Sequence, residues 1–208
     1  MQYTASLSNI SWVDPATDVL QAYYRNMSGF YTTDFPNESA YFFNFQLEDA
    51  PGSLALAQKA TKVKVSEYDE EVEIVFQSTK VMNSSQDHPM HLHGYNFYVI
   101  GQGTGDYDFE YYPKDFNLVD PPYLNTVSVP KFRWVAIRFK ANNSGVWLWH
   151  CHLDHHYSLG MNVVIIVKNG NTLETSMREP PPYMPHCDDS SRIRLWRNYD
   201  TKALESEI

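Results

Sequence analysis

The chain has 208 residues, 15% of them aromatic and 20% charged, and a formal net charge of −9. That length buries a real core, as one large domain or two small ones, and the composition disfavours disorder. The negative balance argues against nucleic acid and an anionic membrane surface as partners, and no uninterrupted apolar run is long enough to cross a bilayer.

The N-terminal Met1-Gln-Tyr-Thr-Ala-Ser-Leu-Ser has neither the basic start nor the apolar stretch of a secretory signal. Residues 2–13 alternate loosely and predict a strand ending at Asp14-Pro15. Thr17 to Asn26 carries Val19, Leu20, Ala22, Tyr23 and Tyr24 with Asp18 near its start, which predicts a short helix. Gly29 to Asn37 is rich in turn residues, Tyr41 to Phe45 predicts a strand, and Ala50-Pro-Gly-Ser breaks it. Thr61–Val65 and Glu71–Phe76 alternate strictly, as half-buried strands do. Further strands are expected near Asn96–Gly101, Phe116–Val119, Asn125–Val129, Trp134–Phe139 and Val163–Val167, separated by Gly, Pro and Asx residues. Many short strands with this punctuation predict an all-β sandwich or barrel. Residues after Cys187 have mixed charge and little apolar pattern, and read as a tail over 188–208.

Two dense clusters stand out. One is His88-Pro-Met-His91-Leu-His93-Gly94; the other is Trp147-Leu-Trp-His-Cys-His-Leu-Asp-His-His-Tyr-Ser-Leu-Gly-Met161. The flanking apolar runs Phe97–Ile100 and Val146–Trp149 place both on or at the ends of strands, where side chains alternate faces. Cys151 then shares a side with His88, and His91, His93, His150 and His152 share the other. That is one site with a thiolate and one of imidazoles only, joined by a covalent strand.

A thiolate, two imidazoles and a weak thioether form a blue-copper electron-transfer site, and Cys151, His88, His156 and Met161 can supply them. The four remaining imidazoles suit copper ions that bind dioxygen, and Cys151 is bonded along the backbone to His150 and His152, a short path for electrons. Zinc also takes His and Cys and is the competing metal, disfavoured by the methionine and by more histidines than one tetrahedral site needs. A Cys–His nucleophile pair is disfavoured because neighbouring strand residues point apart. His155 and His186 read as surface or satisfied residues. Cys187 stands alone, a free surface thiol or one half of a disulfide. Five Asn-x-Ser sequons, at Asn9, Asn26, Asn37, Asn83 and Asn142, point to a secreted ancestry.

These residues resemble the C-terminal cupredoxin domain of a plant-type laccase, among the multicopper oxidases that include ascorbate oxidase. The likeness runs from Ser8-Asn-Ile-Ser-Trp12 to Cys187. It includes Asp34-Phe-Pro36, Phe116-Asn-Leu-Val-Asp-Pro121, Trp134-Val-Ala-Ile-Arg-Phe139, Pro180-Pro-Pro182 and the pattern His-Cys-His-x3-His-x3-Gly-Met. The resemblance implies a cupredoxin-like Greek-key β-sandwich with short helical segments, occupying residues 1–187 as a third domain. It implies copper as cofactor, with His88, Cys151, His156 and Met161 at the type 1 copper, His91 at the type 2 copper, and His93, His150 and His152 at the type 3 pair. It further implies a secreted, apoplastic oxidase that couples oxidation of phenols such as monolignols to reduction of dioxygen to water. His150, Cys151 and His152 would be the electron path.

Three features depart from the family pattern. The family's first cupredoxin domain supplies two further His-x-His pairs that this chain lacks, so only half of the type 2 and type 3 ligands are here. The family's cysteine resembling Cys187 pairs with one in that missing domain. Many plant laccases have leucine where Met161 stands; methionine resembles ascorbate oxidase and implies a lower potential. Alone, the chain is expected not to complete the cycle. A truncated gene model or fragment, a domain needing N-terminal partner domains, a mononuclear blue-copper module and an inactive remnant all remain open.

Overall fold

The computed structural model describes residues 4–38, 56–80 and 85–180. The expected strand at Tyr41–Phe45, the break at Ala50, His186, Cys187 and the tail 188–208 lie outside the described residues.

The eleven described strands are β1 (Ile10–Trp12), β2 (Gln58–Ala60), β3 (Val63–Ser66), β4 (Glu71–Gln77), β5 (His88–Leu92), β6 (Phe97–Thr104), β7 (Tyr123–Leu124), β8 (Thr126–Val129), β9 (Arg133–Lys140), β10 (Gly145–Cys151) and β11 (Asn162–Val167). Two short helices, α1 (Val19–Tyr24) and α2 (Asp154–Ser158), and a 3-10 turn at Tyr112–Asp115 complete the set. One sheet has the order β3-β11-β10-β5-β8 and the other β4-β9-β6-β7, with a small parallel pair of β1 and β2 beside them. The chain changes sheet between β3 and β4, β4 and β5, β5 and β6, β7 and β8, β8 and β9, and β9 and β10. The result is a Greek-key β-sandwich of the cupredoxin type.

Its core follows from strand alternation. Met90 and Leu92 of β5, Trp149 and Cys151 of β10, and Val163, Ile165 and Val167 of β11 face Phe97 of β6 and Val135, Ile137 and Phe139 of β9. Trp149 is the hub: its ring stacks on Phe97 at 6.1 Å and meets Phe76 edge-on at 5.2 Å. The continuous apolar run of β11 is buried on both faces because α1 covers the outside. Val19 of α1 packs on Val63, Val164 and Ile166. The Asp18 carboxylate caps α1 by accepting from the Gln21 amide at 2.7 Å. On the other sheet, Tyr107 and Tyr112 cover the outward Trp134.

Two expected strands differ. Only Ile10–Trp12 of residues 2–13 is extended in a sheet, because Ser8 and Asn9 take positive φ and turn the chain so that Leu7 and Ile10 pair with each other. Phe116–Val119 is not a strand. The Asn117 amide bonds to Ile100, but its side chain then accepts from the amides of Val119 and Asp120, closing an Asx turn.

Candidate metal centre

β5 and β10 lie side by side and antiparallel, with His150 opposite His91 and Cys151 opposite Met90. This pairing builds the two groups that alternation predicts. On the inward face, Cys151 Sγ lies 3.8 Å from His88 Nδ1 and 3.6 Å from His156 Nδ1. The three ligand atoms are all within 4.8 Å of one another. The thiol is fully buried and the imidazoles half-buried.

The loop 152–161 returns His156 to the cysteine. α2 is held by Ser158, whose hydroxyl donates to the Asp154 carbonyl, and the Met161 amide donates to the His156 carbonyl at 2.9 Å. The Cys151 amide then donates to the Met161 carbonyl at 3.1 Å, and the Met161 side chain packs against the core that holds Cys151. Gly160 makes this return possible. Its φ is +101°, and a Cβ there would meet Ser11 Oγ at 2.4 Å. The N-terminal segment braces the same loop: the Ser11 hydroxyl and the Ala5 amide both donate to the Leu159 carbonyl.

Burial sets the protonation of this group. It pushes the Cys151 thiol up and the imidazoles of His88 and His156 down, His156 to about 4; repulsion from His88 and His155 adds to the shift of His156, while Asp87 partly offsets that of His88. Two neutral imidazoles beside a thiol that a metal must deprotonate form a soft donor set. That set fits copper or zinc.

On the outward face, the rings of His91 and His93 are 4.9 Å apart, those of His93 and His150 5.2 Å, and those of His150 and His152 5.4 Å. His93 Nε2 and His150 Nε2 approach to 3.2 Å. A backbone carbonyl can only accept, so the contacts of His91 Nδ1 with the Asn125 carbonyl and of His150 Nδ1 with the Cys151 carbonyl, each 3.0 Å, make both Nδ1 atoms donors. Their Nε2 lone pairs are left for a metal. Partial desolvation, then repulsion from the neighbouring rings, lowers the pKa of His93 and of His150, the latter against the opposing effect of its bond to the Cys151 carbonyl. His93 and His152 are exposed, and a cavity of about 690 Å³ opens beside His91 and His93, lined also by Asn96, Asn125 and Asn142. These imidazoles present only borderline nitrogen donors, which suit copper, zinc, iron or nickel.

Sequence reasoning missed some neighbours. His155 is exposed and bonds to Gln86 at 3.2 Å, as expected of a surface or satisfied residue; what was not foreseen is that its ring lies 4.0 Å from that of His156. Its place within α2, next to a cluster histidine, was the available signal. Asn125 and Thr126 orient His91 from β8, and no spacing in the sequence joins them to it. Tyr157 meets the His150 ring edge-on at 5.3 Å.

Residues 28–171 match the family described as multicopper oxidase. The putative laccase-16 of Oryza sativa subsp. japonica is 51% identical over 187 residues, which are 89% of this chain and 39% of that protein. Laccase-14 of Arabidopsis thaliana is 47% identical over 186 residues, 89% of this chain and 32% of that protein. Among solved structures, the laccase from Botrytis aclada aligns at 33% identity and a TM-score of 0.44, covering 49% of this chain and 19% of that one. The chain thus spans no more than 39% of the length of these two curated relatives. With the matched region covering well over half of its 208 residues, the chain belongs to the multicopper oxidase family.

Proposed function

We propose that residues 1–187 are the third cupredoxin domain of a secreted laccase-type oxidase, with 188–208 a tail. One observation carries this reading. Cys151 faces His88 and His156 on the inner side of β10, while the residue bonded to it, His150, faces His93 on the outer side. His88, Cys151, His156 and Met161 would hold a type 1 copper. His91 would serve a type 2 copper, and His93, His150 and His152 a type 3 pair completed by imidazoles from N-terminal cupredoxin domains.

Copper at these places would supply one-electron acceptance from phenols, such as monolignols, on one side and reduction of dioxygen on the other. The chain's own part is positional. Burial keeps the His88 and His156 imidazoles neutral and ready to ligate. The carbonyls of Asn125 and Cys151 fix the ring nitrogens of His91 and His150. The peptide bonds of 150–152 give a covalent electron path between the two sides. Family membership favours copper over zinc. The test is copper reconstitution of the purified chain, reading copper content and visible absorption together. About one copper per chain with a strong blue thiolate band supports the reading; a folded chain that binds copper without that band overturns the type 1 assignment.

A second reading, a mononuclear blue-copper module, is favoured by one contrast: His88, Cys151 and His156 converge within the chain, whereas the outer imidazoles face an open cavity. Oxygen uptake with a phenol on joining the chain to the His-x-His-bearing domains of a relative separates the two. Uptake supports the oxidase; a blue protein without uptake supports the module.

A further inference from the structure

None of the proposed metal ligands belongs to the five Asn-x-Ser sequons, and the fold sorts those that lie among the described residues. We infer that Asn26 carries an N-linked oligosaccharide in the folded, secreted chain and that Asn9 carries none. The inference rests on the secretory route proposed above for its place in the native cell.

N-glycosylation needs two groups at once. The asparagine amide must reach the donor, and the serine hydroxyl two residues on must be free to engage the transferring enzyme. The amide nitrogen forms a bond to the anomeric carbon of a polyprenyl-diphosphate oligosaccharide. The bond from that carbon to the diphosphate oxygen breaks, the lipid diphosphate leaves, and the amide proton passes to a base of the enzyme. The product must then still permit folding, since the sugar is bulky and hydrophilic.

Asn26 meets these demands. It follows the C-cap of α1 with φ +50°, a conformation that asparagine tolerates well, and is fixed by its amide to the Tyr23 carbonyl and by the Met27 amide to the Ala22 carbonyl. Both Asn26 and Ser28 are exposed. Asn9 has the same motif and a similar φ of +62°, but the opposite surroundings. Its Oδ1 is buried without a hydrogen-bond partner, and Ser11 is 2% exposed with its hydroxyl donated to Leu159 in the loop that carries His156. A glycan on Asn9 would keep that segment from closing on the loop 152–161, so chains bearing it would not reach the folded pool.

The remaining sequons are less suited. Asn37 is exposed, but its side-chain oxygen is bonded to Lys64. Asn142 lines the cavity beside His91 and His93, and the Ser144 hydroxyl is committed to the carbonyls of Lys168 and Thr175. Asn83 lies outside the described residues.

The test is expression of the whole chain behind a cleavable secretory leader in a eukaryotic host. The folded, secreted fraction is treated with a glycosidase in heavy-oxygen water, and each sequon peptide is read by mass spectrometry. The host imposes the route, so the result does not depend on the native address. Expected are a labelled Asn26, an unlabelled Asn9, and loss of one oligosaccharide of mass in both Asn26→Gln and Ser28→Ala. Ser28→Ala leaves the positive-φ residue in place, which keeps the test sound if Asn26→Gln folds poorly. An unlabelled Asn26, or a labelled Asn9, in folded material overturns the inference. Copper loading of the same fraction is read separately; absence of the blue band there counts against the metal assignment and leaves the glycan result standing.

Discussion

The two faces of β10 present their candidate metal donors in opposite ways. On the inner face, the donors come from β5, β10 and α2, the last carried by the loop 152–161. Their ring and thiol atoms converge within this chain, and a fully buried cysteine has its amide tied to the same loop. On the outer face, the four imidazoles stand on one sheet only, with His93 and His152 exposed and a cavity where further ligands could enter. A preorganised site asks little of its surroundings, while a half-built one needs a second surface to finish it. The inner site should therefore behave as a property of this chain, and the outer site as a property of an assembly.

The largest expected effect breaks the inner site outright. Cys151→Ser removes the thiolate, and the reconstituted chain should lose the blue band completely. The fold should survive, because serine is close in size and burying its hydroxyl costs about 1–3 kcal/mol. Visible absorption and a thermal melt read the two effects separately. A blue band that persists in this variant would place the copper elsewhere.

Next comes the core beneath the inner site. Trp149 is 1% exposed and touches rings from both β4 and β6 of the opposing sheet. Trp149→Ala should cost about 3–5 kcal/mol in denaturant unfolding, and should weaken the blue band because Cys151 shares its face. A loss below about 1 kcal/mol would show that the sandwich does not depend on that ring.

Protonation gives a smaller, graded test on the metal-free chain. The His156 imidazole is pushed down from 6.5 to about 4, chiefly by burial and then by the neighbouring His88 and His155. Between these values the unfolded chain binds a proton that the folded chain does not. Stability contributed by the neutral ring is therefore complete above about 6.5 and is lost as pH falls toward 4, with no further loss below. His88, His93 and His150 shift in the same direction and steepen the decline. Melting temperature against pH should fall through that window, and His156→Gln should flatten part of the slope. An unchanged slope in that variant would mean that His156 is not desolvated as the fold implies.

The inner site was legible because its signals are local. Period-two alternation over His150, Cys151 and His152, and over His91 and His93, separates the groups within the sequence itself. Most strands were legible for the same reason; β4 and β9 have alternating or apolar runs that match their burial. What escaped depends on long-range contacts. The turn at Ser8 and Asn9 is built by packing against a loop some 150 residues away, as the Ser11 to Leu159 bond shows. β2 exists only because β1 offers it a parallel partner, and Asn125 reaches His91 only through the β5–β8 pairing. The Phe116–Val119 run had strand-like composition, but Asn117 closed it into a turn by its own side chain. Apolar content alone could not weigh that competition.

The smallest expected effect is the sharpest probe of independence. His93 is exposed, and its ring contributes to the outer face alone, with Nε2 at 3.2 Å from that of His150. His93→Gln should change unfolding free energy by no more than about 0.5 kcal/mol, as surface substitutions do. The blue band should keep its position and intensity, since Cys151, His88 and His156 are untouched. What should change is any second, weaker copper. Two imidazole nitrogens converging from one sheet can hold a labile ion, and removing one should lower its affinity without touching the first. Equilibrium copper titration, followed by both metal content and absorption, reads these outcomes together. Loss of the blue band in His93→Gln would mean that the two faces are coupled through the 150–152 peptide even without the partner domains, and the inner site would no longer count as self-sufficient.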